Sequence, residues 1–501
     1  MLRNVGSTWV LTLAGIAATY VLTPFIIDTL GVEGYGTWTL ITSITGYISL
    51  LALGVPMASV RYLAQHVAEG NAREINRTIG SCAALYLVIG AVALVAGGVL
   101  LLLFETYEIP RVFVTEASLA FGVMVLQVSL GFIGLLPEGI LFAHHDFVVR
   151  NAVRVAGVVL RFALTIGLLA VTHSLLALAA IQLLCLVFDF TVSLAIIRRR
   201  HPGIRISLAD RDRTVVRRVL SFSVYVLLLS AGARLAFETD ALVIGAMFGV
   251  GAIPFYVVAN SLVVYLMEFV LAIAAVVSPM ATKLNTEGRI DELRQMFLTW
   301  SKIALSLSLA AGVFLCVFGP RFIGWWIDPS FEEPSGRVLQ ILVLSCLVFL
   351  PVRGVALPIM IGLGKPQLPT TAFLAAGVLN VVLSVALARP FGLTGVAIGT
   401  AVPNVLFAVF VLAVTCRELC VPIRTYVEYV VPRAALGTVP LVVPLLALRI
   451  GLDVRTLPGM IAAGVMMLAI FAVTWVFFVY RDDQYVDLRP HLGRLRAWSR
   501  A

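Results

Sequence analysis

Residues 78–104 read TIGSCAALYLVIGAVALVAGGVLLLLF and contain no charged side chain. A helix needs about 20 apolar residues to cross the hydrocarbon core of a bilayer. Thirteen further windows meet this test, so the sequence predicts an all-α polytopic membrane protein of about fourteen transmembrane helices. The length and continuity of the runs exclude a membrane β-barrel. The fourteen windows are residues 7–30, 35–60, 78–104, 117–143, 147–171, 174–197, 218–247, 253–282, 297–320, 338–362, 367–388, 392–416, 426–448 and 456–480.

The composition supports this class. Of the 501 residues, 60% are hydrophobic and 13% are charged, whereas soluble domains are about half apolar and about a quarter charged. A net charge of +9 would suggest a nucleic-acid partner for a soluble protein. Here the charges cluster in short loops, so membrane topology explains them and no nucleic-acid partner is expected. The six cysteines lie within or at the ends of apolar runs, so neither a metal site nor a disulfide framework is predicted.

The distribution of Lys and Arg predicts the orientation. If the N-terminus is cytoplasmic, 26 of the 36 Lys and Arg residues fall on the cytoplasmic side. Because cytoplasmic loops carry the excess of basic residues, both termini are expected to face the cytoplasm, which requires an even number of spans. The first apolar run, ending at Leu30, is expected to be retained as a span rather than removed as a signal peptide. Six basic residues are predicted to lie in the outward loops, namely Arg111, Arg321, Arg337, Arg389, Arg449 and Arg455.

The two halves of the chain repeat each other. When the first half is shifted by 218 residues, identical residues coincide in one register without a gap. With six spans per half, the repeats have the same orientation, as in transporters whose halves rock about a central site. The coinciding residues are Gly31-Val32 with Gly249-Val250, Tyr47 with Tyr265, Glu69-Gly70 with Glu287-Gly288 and Glu74 with Glu292; at a shift of 220, Ala156-Gly157-Val158 coincides with Ala376-Gly377-Val378.

The long basic segment between the halves sets the predicted domain boundaries. These are an N-lobe at residues 1–198 with spans 1–6, a basic cytoplasmic linker at 199–217, a C-lobe at 218–416 with spans 7–12, two further spans at 417–480 and a basic cytoplasmic tail at 481–501.

Three segments resemble a known group of transporters. The first is LGVEGYG at residues 30–36, followed by Gly46-Tyr47 and by Leu53-Gly54 before Arg61-Tyr62; the second is DALVIG at 240–245 leading to Tyr256; the third is Asn380 followed by PFGLTGVAIGT at 390–400. These segments resemble those of the polysaccharide (O-antigen/exopolysaccharide-type) flippases of the multidrug/oligosaccharidyl-lipid/polysaccharide exporter superfamily. The resemblance covers nearly the whole chain.

This resemblance implies two lobes, spans 1–6 and 7–12, that enclose a central cavity and export lipid-linked oligosaccharide by alternating access. The expected location is the bacterial cytoplasmic (inner) membrane. The expected partners are the lipid-linked oligosaccharide, membrane lipids and other polysaccharide assembly proteins. No glycine loop of the ATPase type is present, so no cofactor is expected, and the energy would come from an ion gradient, the substrate gradient or consumption of the product.

Arginines within the predicted spans are candidate substrate-binding residues, because an ionised group inside a bilayer usually faces a cavity or a partner. Arg161, Arg234 and Arg353 lie well inside spans 5, 7 and 10. Planar guanidinium groups suit phosphate oxygens, so we expect these three to bind the pyrophosphate in a glycan cavity. The alternative for Arg234 is an ion pair with Glu238, one helical turn away. Arg433, near the cytoplasmic end of span 13, is expected to extend toward water.

Six acidic residues also lie within the spans, more than the four arginines, which argues against a simple attraction of phosphate. Asp189 and Glu268, both near mid-span, are candidates for proton or sodium coupling. Asp240, in the second resembling segment, is a third candidate. Its alternative role is that of an ion-pair partner of an arginine.

Span 2 and three prolines carry weaker signals. Seven hydroxyl side chains lie between Thr37 and Ser49, and they suit either the sugar hydroxyls of a substrate or hydrogen bonds between helices. Pro24, Pro351 and Pro358 interrupt spans 1 and 10, where proline permits a bend. Bending during transport and a static bent shape both stay open.

Four functions compete. The residues that carry the resemblance favour an oligosaccharide flippase. A multidrug or cation:ion antiporter of the same superfamily would use the acids to bind cations, and a flippase for the peptidoglycan lipid precursor is a third reading. A membrane glycan polymerase or ligase would need a large outward loop. The longest outward loops, near residues 105–116 and 321–337, are too short to resemble one, so the chain is not expected to be an enzyme.

Overall fold

The computed structural model describes residues 2–52, 54–102, 109–481 and 483–485. Within these ranges the regular secondary structure is entirely helical. The helices are α1 (Leu2–Ser49), α2 (Val55–Ala68), α3 (Ala72–Leu102), α4 (Arg111–Ala143), α5 (Phe147–Thr172), α6 (Leu175–Arg200), α7 (Arg213–Phe237), α8 (Asp240–Phe248), α9 (Ile253–Leu271), α10 (Ala274–Thr286), α11 (Ile290–Trp326), α12 (Glu332–Pro351), α13 (Leu357–Gly362), α14 (Gln367–Glu418), α15 (Ile423–Ile450) and α16 (Leu457–Thr474). Short π-helical turns follow α12 at Val352–Ala356 and α16 at Trp475–Val479.

The predicted fold class is confirmed. Among the described residues, eleven helical stretches are long and apolar enough to cross a membrane. Two of them contain a break, at Gly31 in α1 and at Gly392 in α14, and each therefore corresponds to two predicted spans. Helices α7 and α8 cover the predicted span at residues 218–247. The helices thus account for about fourteen spans.

The internal repeat extends to the backbone conformation. Gly31 has φ 74° and ψ 170°, and Gly249, which coincides with it at the 218-residue shift, has φ 77° and ψ 169°. This region of φ/ψ space is essentially restricted to glycine. The identity of the two residues is therefore required by the same backbone turn in both halves.

A second matching pair of glycines ends two short helices. Gly70 after α2 and Gly288 after α10 have φ values of 66° and 71°. The amide of Gly70 donates to the Val67 carbonyl and that of Gly288 donates to the Asn285 carbonyl, both at 3.1 Å. A glycine in the left-handed conformation at this position ends a helix without steric cost.

The chain divides into two compact units. Unit 1 comprises Met1–Arg234 and Ala241–Pro254, and unit 2 comprises Leu235–Asp240 and Phe255–Ala501. The boundaries of the predicted transport lobes stay a prediction, because compactness does not define which segments move together. Most of the predicted tail, residues 486–501, lies outside the described residues, as do residues 105–108 of one predicted outward loop. The other predicted outward loop, at 321–337, is largely helical.

In unit 1, α4 packs against α3 and α6, and α1 packs against α5. The predicted basic linker packs on the beginning of α3. Asn76 Nδ2 donates to the Gly203 carbonyl at 3.1 Å, and its Oδ1 accepts from the Arg205 amide at 2.8 Å. Ser81 Oγ accepts from the Asp212 amide at 2.9 Å. The linker is therefore an ordered part of unit 1.

In unit 2, the terminal helices α15 and α16 pack on α11. Their contact is a buried apolar cluster that includes Phe318, Leu441 and Met467. At the other end of α11, Lys302 Nζ contacts Asp483 Oδ2 at 2.5 Å, and each side chain is only 1% exposed. The apolar cluster near the end of α11 and the ion pair nearer its beginning attach the last two spans to α11.

Candidate functional site

Asp240 lies at the centre of a buried polar cluster in unit 2. It is 4% exposed, at the start of α8. Tyr256 Oη donates to Asp240 Oδ2 at 2.6 Å. Thr400 Oγ1 lies 3.0 and 3.1 Å from the two carboxylate oxygens, and Asn380 Nδ2 donates to Thr400 Oγ1 at 2.9 Å. We call these four residues the Asp240 cluster.

Two glycines in α14 bring the cluster together. A Cβ atom on Gly395 would lie 2.0 Å from the Leu387 carbonyl oxygen, and one on Gly399 would lie 2.5 Å from the Ser384 amide nitrogen. Only glycine allows the two parts of α14, before and after the break at Gly392, to approach this closely. This approach brings Thr400 within hydrogen-bonding distance of Asn380, although they are 20 residues apart in sequence.

The cluster can hold a small ion. Hydroxyl donors, rather than an arginine, bind Asp240, and no ion pair of Asp240 is found with any described residue. A carboxylate held by hydroxyl groups can take up a proton, or it can coordinate a hard cation once the hydroxyl hydrogens rotate away. The described residues contain no group of three or more His, Cys, Asp or Glu side chains placed to bind a metal ion. None of the described arginines forms the ion pair that the alternative role of Asp240 predicts, and its role in coupling stays a prediction.

Arg353 lies in a second part of unit 2, within the π-helical turn Val352–Ala356. The turn lies between Pro351 and Pro358, two of the three prolines that are predicted to interrupt spans. The guanidinium carbon lies 5.5 Å from the centre of the Phe349 ring and 5.3 Å from that of the Phe373 ring. Cation–π contacts stabilise the half-buried charge, and isolated π-helical turns are frequent at functional sites.

Arg234, at the end of α7, belongs to unit 1 and contacts α1. Its Nη2 donates to Ser49 Oγ at 3.2 Å, and its carbonyl oxygen accepts from Tyr47 Oη at 3.3 Å. Most of the remaining hydroxyls of span 2 donate to carbonyls of their own helix; Thr37 Oγ1, for example, donates to the Glu33 carbonyl at 2.8 Å. Tyr47 and Ser49 therefore contact another helix, as the interhelical role predicts, and binding of sugar hydroxyls by span 2 stays a prediction.

Arg161 and Asp189 come together in unit 1, on α5 and α6. Asp189 interacts electrostatically with Arg161, Arg154 and Glu138. Its Oδ1 lies 2.6 Å from the position that a Cβ of Gly157 would occupy, so the carboxylate lies directly against the backbone of α5. This oxygen is buried and has no hydrogen-bond partner among the described residues. The sequence predicted both residues but not their proximity.

The other predicted residues lie apart from these groups. The side chain of Glu268 is exposed on α9, and no described residue forms an ion pair with it. Arg433 Nη1 donates to the Arg481 carbonyl at 2.6 Å, close to the end of α16. Sequence reasoning did not assign Tyr256, Asn380 or Thr400 to a site, although all three lie in the segments that resemble flippases.

Comparisons with known proteins agree with this architecture. The family model described as "Polysaccharide biosynthesis protein" matches residues 1–285, more than half of the chain. The "Uncharacterized membrane protein EpsK" of Bacillus subtilis (strain 168) is 22% identical over 399 residues, which is 77% of this chain and 77% of that protein.

Solved structures are similar in fold. The lipid II flippase MurJ, in an inward closed conformation, matches with a TM-score of 0.73 at 11% identity, covering 95% of this chain and 99% of that chain. A multidrug resistance MATE family transporter of the MOP superfamily, in an inward-facing conformation, matches with a TM-score of 0.67 at 17% identity, covering 80% and 94%. At these identities the similarity shows the fold alone, which is that of MOP-superfamily transporters.

Proposed function

This chain belongs to the polysaccharide biosynthesis protein family, and we propose that it translocates a polyprenyl-pyrophosphate-linked oligosaccharide from the cytoplasmic to the outer leaflet. The movement is alternating access, and the product serves O-antigen, capsule or exopolysaccharide biosynthesis. The proposed location is the bacterial cytoplasmic membrane, with both termini cytoplasmic. The observation that carries the proposal is the Asp240 cluster, a buried carboxylate that forms no ion pair with any described residue, in a multi-pass protein of this family.

The chemistry of the substrate explains why a protein is needed. Moving one unpaired hydroxyl into hydrocarbon costs roughly 4 to 8 kcal/mol. An oligosaccharide carries many hydroxyls and its pyrophosphate carries charge, so unassisted movement is negligible. A hydrated passage removes this cost while the polyprenyl tail stays in the bilayer.

Three arginines within the spans would bind the pyrophosphate. Arg161, Arg234 and Arg353 are each held by neighbouring groups, namely the Asp189 carboxylate, the Ser49 hydroxyl and two phenylalanine rings. A guanidinium group keeps its charge at all physiological pH values and can bind two phosphate oxygens at once. In this proposal the three residues neutralise the pyrophosphate in turn during passage.

The Asp240 cluster would couple transport to a proton or sodium gradient. Uptake of the ion neutralises the buried carboxylate, which changes the free energy of the cluster and thus favours one conformation of the transporter. Asp189 is a second candidate for coupling in unit 1. Glu268 stays a weaker proposal, because its side chain is exposed.

The test is a flipping assay in proteoliposomes that contain one defined polyprenyl-pyrophosphate glycan, with and without a proton or sodium gradient. We expect Arg234→Ala and Arg353→Ala to slow transport by about tenfold. We expect Asp240→Asn to transport without responding to either gradient, whereas Asp291→Asn, which changes a carboxylate that is 93% exposed, should behave as wild type. Wild-type rates in both arginine variants would contradict the site assignment.

An antiporter of drugs or cations is the second candidate. The buried acids Asp189 and Asp240 favour it, since acids bind cationic substrates, and a MATE transporter is among the structures of similar fold. The same proteoliposomes separate the two functions. Protection of an outward gradient of a cationic dye, without movement of the glycan lipid, would favour the antiporter. Movement of the peptidoglycan lipid precursor in preference to other glycans would favour the third reading.

A further inference from the structure

A pocket in unit 2 lies at the ends of four transmembrane helices. It has a volume of about 420 Å³ and is lined by residues from the end of α11, the beginning of α12, the end of α15 and the segment before α16. Ligand pockets have volumes of roughly 300 to 1,000 Å³, so this one can hold a small ligand. The residues that matter below are Glu332, Glu333, Arg337, Arg449 and Arg455. We call it the arginine pocket.

The pocket brings together basic residues on the predicted outward side, where the sequence has few of them. Only six Lys and Arg residues are predicted to lie on the outward side. Three of the six, Arg337, Arg449 and Arg455, line the pocket, and Arg321 lies beside it, where its Nη1 donates to the Val454 carbonyl at 3.1 Å. Basic residues are disfavoured on this side of a membrane protein, so their collection at one place needs a reason.

Ion pairs satisfy the carboxylates of the pocket. Arg455 contacts Glu332 at 3.4 Å and Asp453 at 3.1 Å. Arg337 pairs with Glu333, one turn away on α12. Each acidic side chain of the pocket is therefore already bound to an arginine and is not available to a cationic ligand.

Arg449 differs from its neighbours. It lies in the last turn of α15 and is half-buried at the pocket wall. In the part of the chain that the structure describes, it makes no ion pair and no side-chain hydrogen bond, and with it the lining holds three arginines against two glutamates. A half-buried guanidinium without a protein partner is a binding group for an anion, and its planar donors suit phosphate oxygens.

The position of the pocket indicates where the anion comes from. Trp325 and Trp326 end α11, five and six residues after the pocket residue Pro320, and Trp325 is 43% exposed. Tryptophan is enriched at the boundary between lipid and water. We propose that the arginine pocket binds the phosphate group of a lipid at this boundary, with Arg449 as the principal contact. Two lipids offer that group, namely a phospholipid of the bilayer and a prenyl pyrophosphate of the kind that the chain is proposed to move.

The experiment measures binding to the purified full-length protein by titration calorimetry. The probes are dihexanoyl phosphatidylglycerol and farnesyl pyrophosphate. The variants are Arg449→Gln, Arg449→Lys and the control Arg389→Gln, which removes a predicted outward charge that does not line the pocket. Arg449→Gln should weaken binding of at least one probe by about tenfold, since a charge-assisted contact is lost. Arg449→Lys should weaken it less, and the control should match wild type.

The outcomes separate the two sources. Weaker binding of phosphatidylglycerol alone assigns the pocket to bilayer phospholipid, and weaker binding of farnesyl pyrophosphate alone assigns it to the prenyl carrier. Unchanged binding of both probes by Arg449→Gln overturns the proposal, as does an equal loss in Arg389→Gln. An unchanged thermal midpoint of Arg449→Gln confirms that the fold is intact. Because binding is measured without flipping, this result does not depend on the outcome of the glycan assay.

Discussion

Two carboxylates of unit 2 have buried side chains but are stabilised in opposite ways. Asp240 accepts hydrogen bonds from the hydroxyls of Tyr256 and Thr400 and has no ion pair with a described residue. Asp483 forms an ion pair with Lys302, and both side chains are 1% exposed. A carboxylate that is held by neutral donors can exchange its ion, whereas one that is paired with a lysine is fixed in charge. The first arrangement suits a step that repeats in every cycle, and the second suits a permanent attachment.

The largest expected effect on stability is at the ion pair between Lys302 and Asp483. Lys302→Met leaves Asp483 buried without its counter-charge, and breaking such a pair costs about 3 to 5 kcal/mol. The free energy of unfolding, measured by denaturant titration in mixed micelles, should fall by this amount. Lys365→Met is the matched control, because its pair with Glu418 is exposed, and exposed pairs contribute about 0 to 1 kcal/mol.

The double variant Lys302→Met/Asp483→Leu tests the reason for this loss. Replacing both members of a buried pair by apolar residues is often neutral, so the double variant should recover most of the stability. If it is as unstable as the single variant, the pair is not the cause of the loss.

The next largest effect on stability is expected at the Asp240 cluster. Thr400→Val removes the donor that lies near both oxygens of Asp240, and an unsatisfied buried group costs about 1 to 3 kcal/mol. Thr415→Val is the matched control in the same helix, since the Thr415 hydroxyl is buried but donates to the Val411 carbonyl of its own turn. The same titration should show a larger loss for Thr400→Val. Equal losses would show that Asp240 does not depend on this donor.

The smallest expected effect is the pH dependence of the stability that the Lys302–Asp483 pair contributes. Burial acts to raise the pKa of Asp483, but the hydrogen bonds from Lys302, the Tyr485 amide and Tyr429 outweigh it, so the pKa lies below its usual range. A carboxyl with a lowered pKa stabilises the fold above its unfolded value of about 3.9. That contribution is lost as the pH falls through the folded pKa.

The stability difference between wild type and Lys302→Met should be largest at about pH 7 and should shrink as the pH falls, because the unpaired carboxyl of the variant takes up a proton at a higher pH than the paired one. Unfolding titrations at a series of pH values measure it. A difference that is the same at acidic and neutral pH would contradict the assignment of the charge to Asp483.

Most of the fold follows from the sequence, for a physical reason. Uncharged stretches such as residues 78–104 can only be helices in lipid, and the shifted glycine pairs indicate repeated turns, as Gly31 and Gly249 confirm. The packing of the linker on α3 could not be predicted in this way. It depends on single hydrogen bonds between residues more than 120 positions apart, such as that between Asn76 and Gly203, and no periodic pattern marks them.

The site could be predicted only in part. An acid inside a span is costly in lipid, and this cost makes Asp240 and Asp189 candidate functional residues. Their partners, Thr400 for the first and Arg161 for the second, come from other helices, and uncharged hydroxyls give no signal of that kind. Glu268 has the same sequence signal as Asp240, but its side chain is exposed. The signal is the same because composition does not specify which side of a helix faces the interior.

The two glycines of α14 have a consequence for how this protein can change over generations. The separation of Asn380 from Thr400 is set by main-chain atoms that touch at Gly395 and Gly399, not by the apolar side chains around them. Those neighbours can be exchanged for others of similar volume without moving the hydroxyl that Asp240 uses. In a library of all single substitutions, the two glycine codons should be less tolerant than the apolar positions around them.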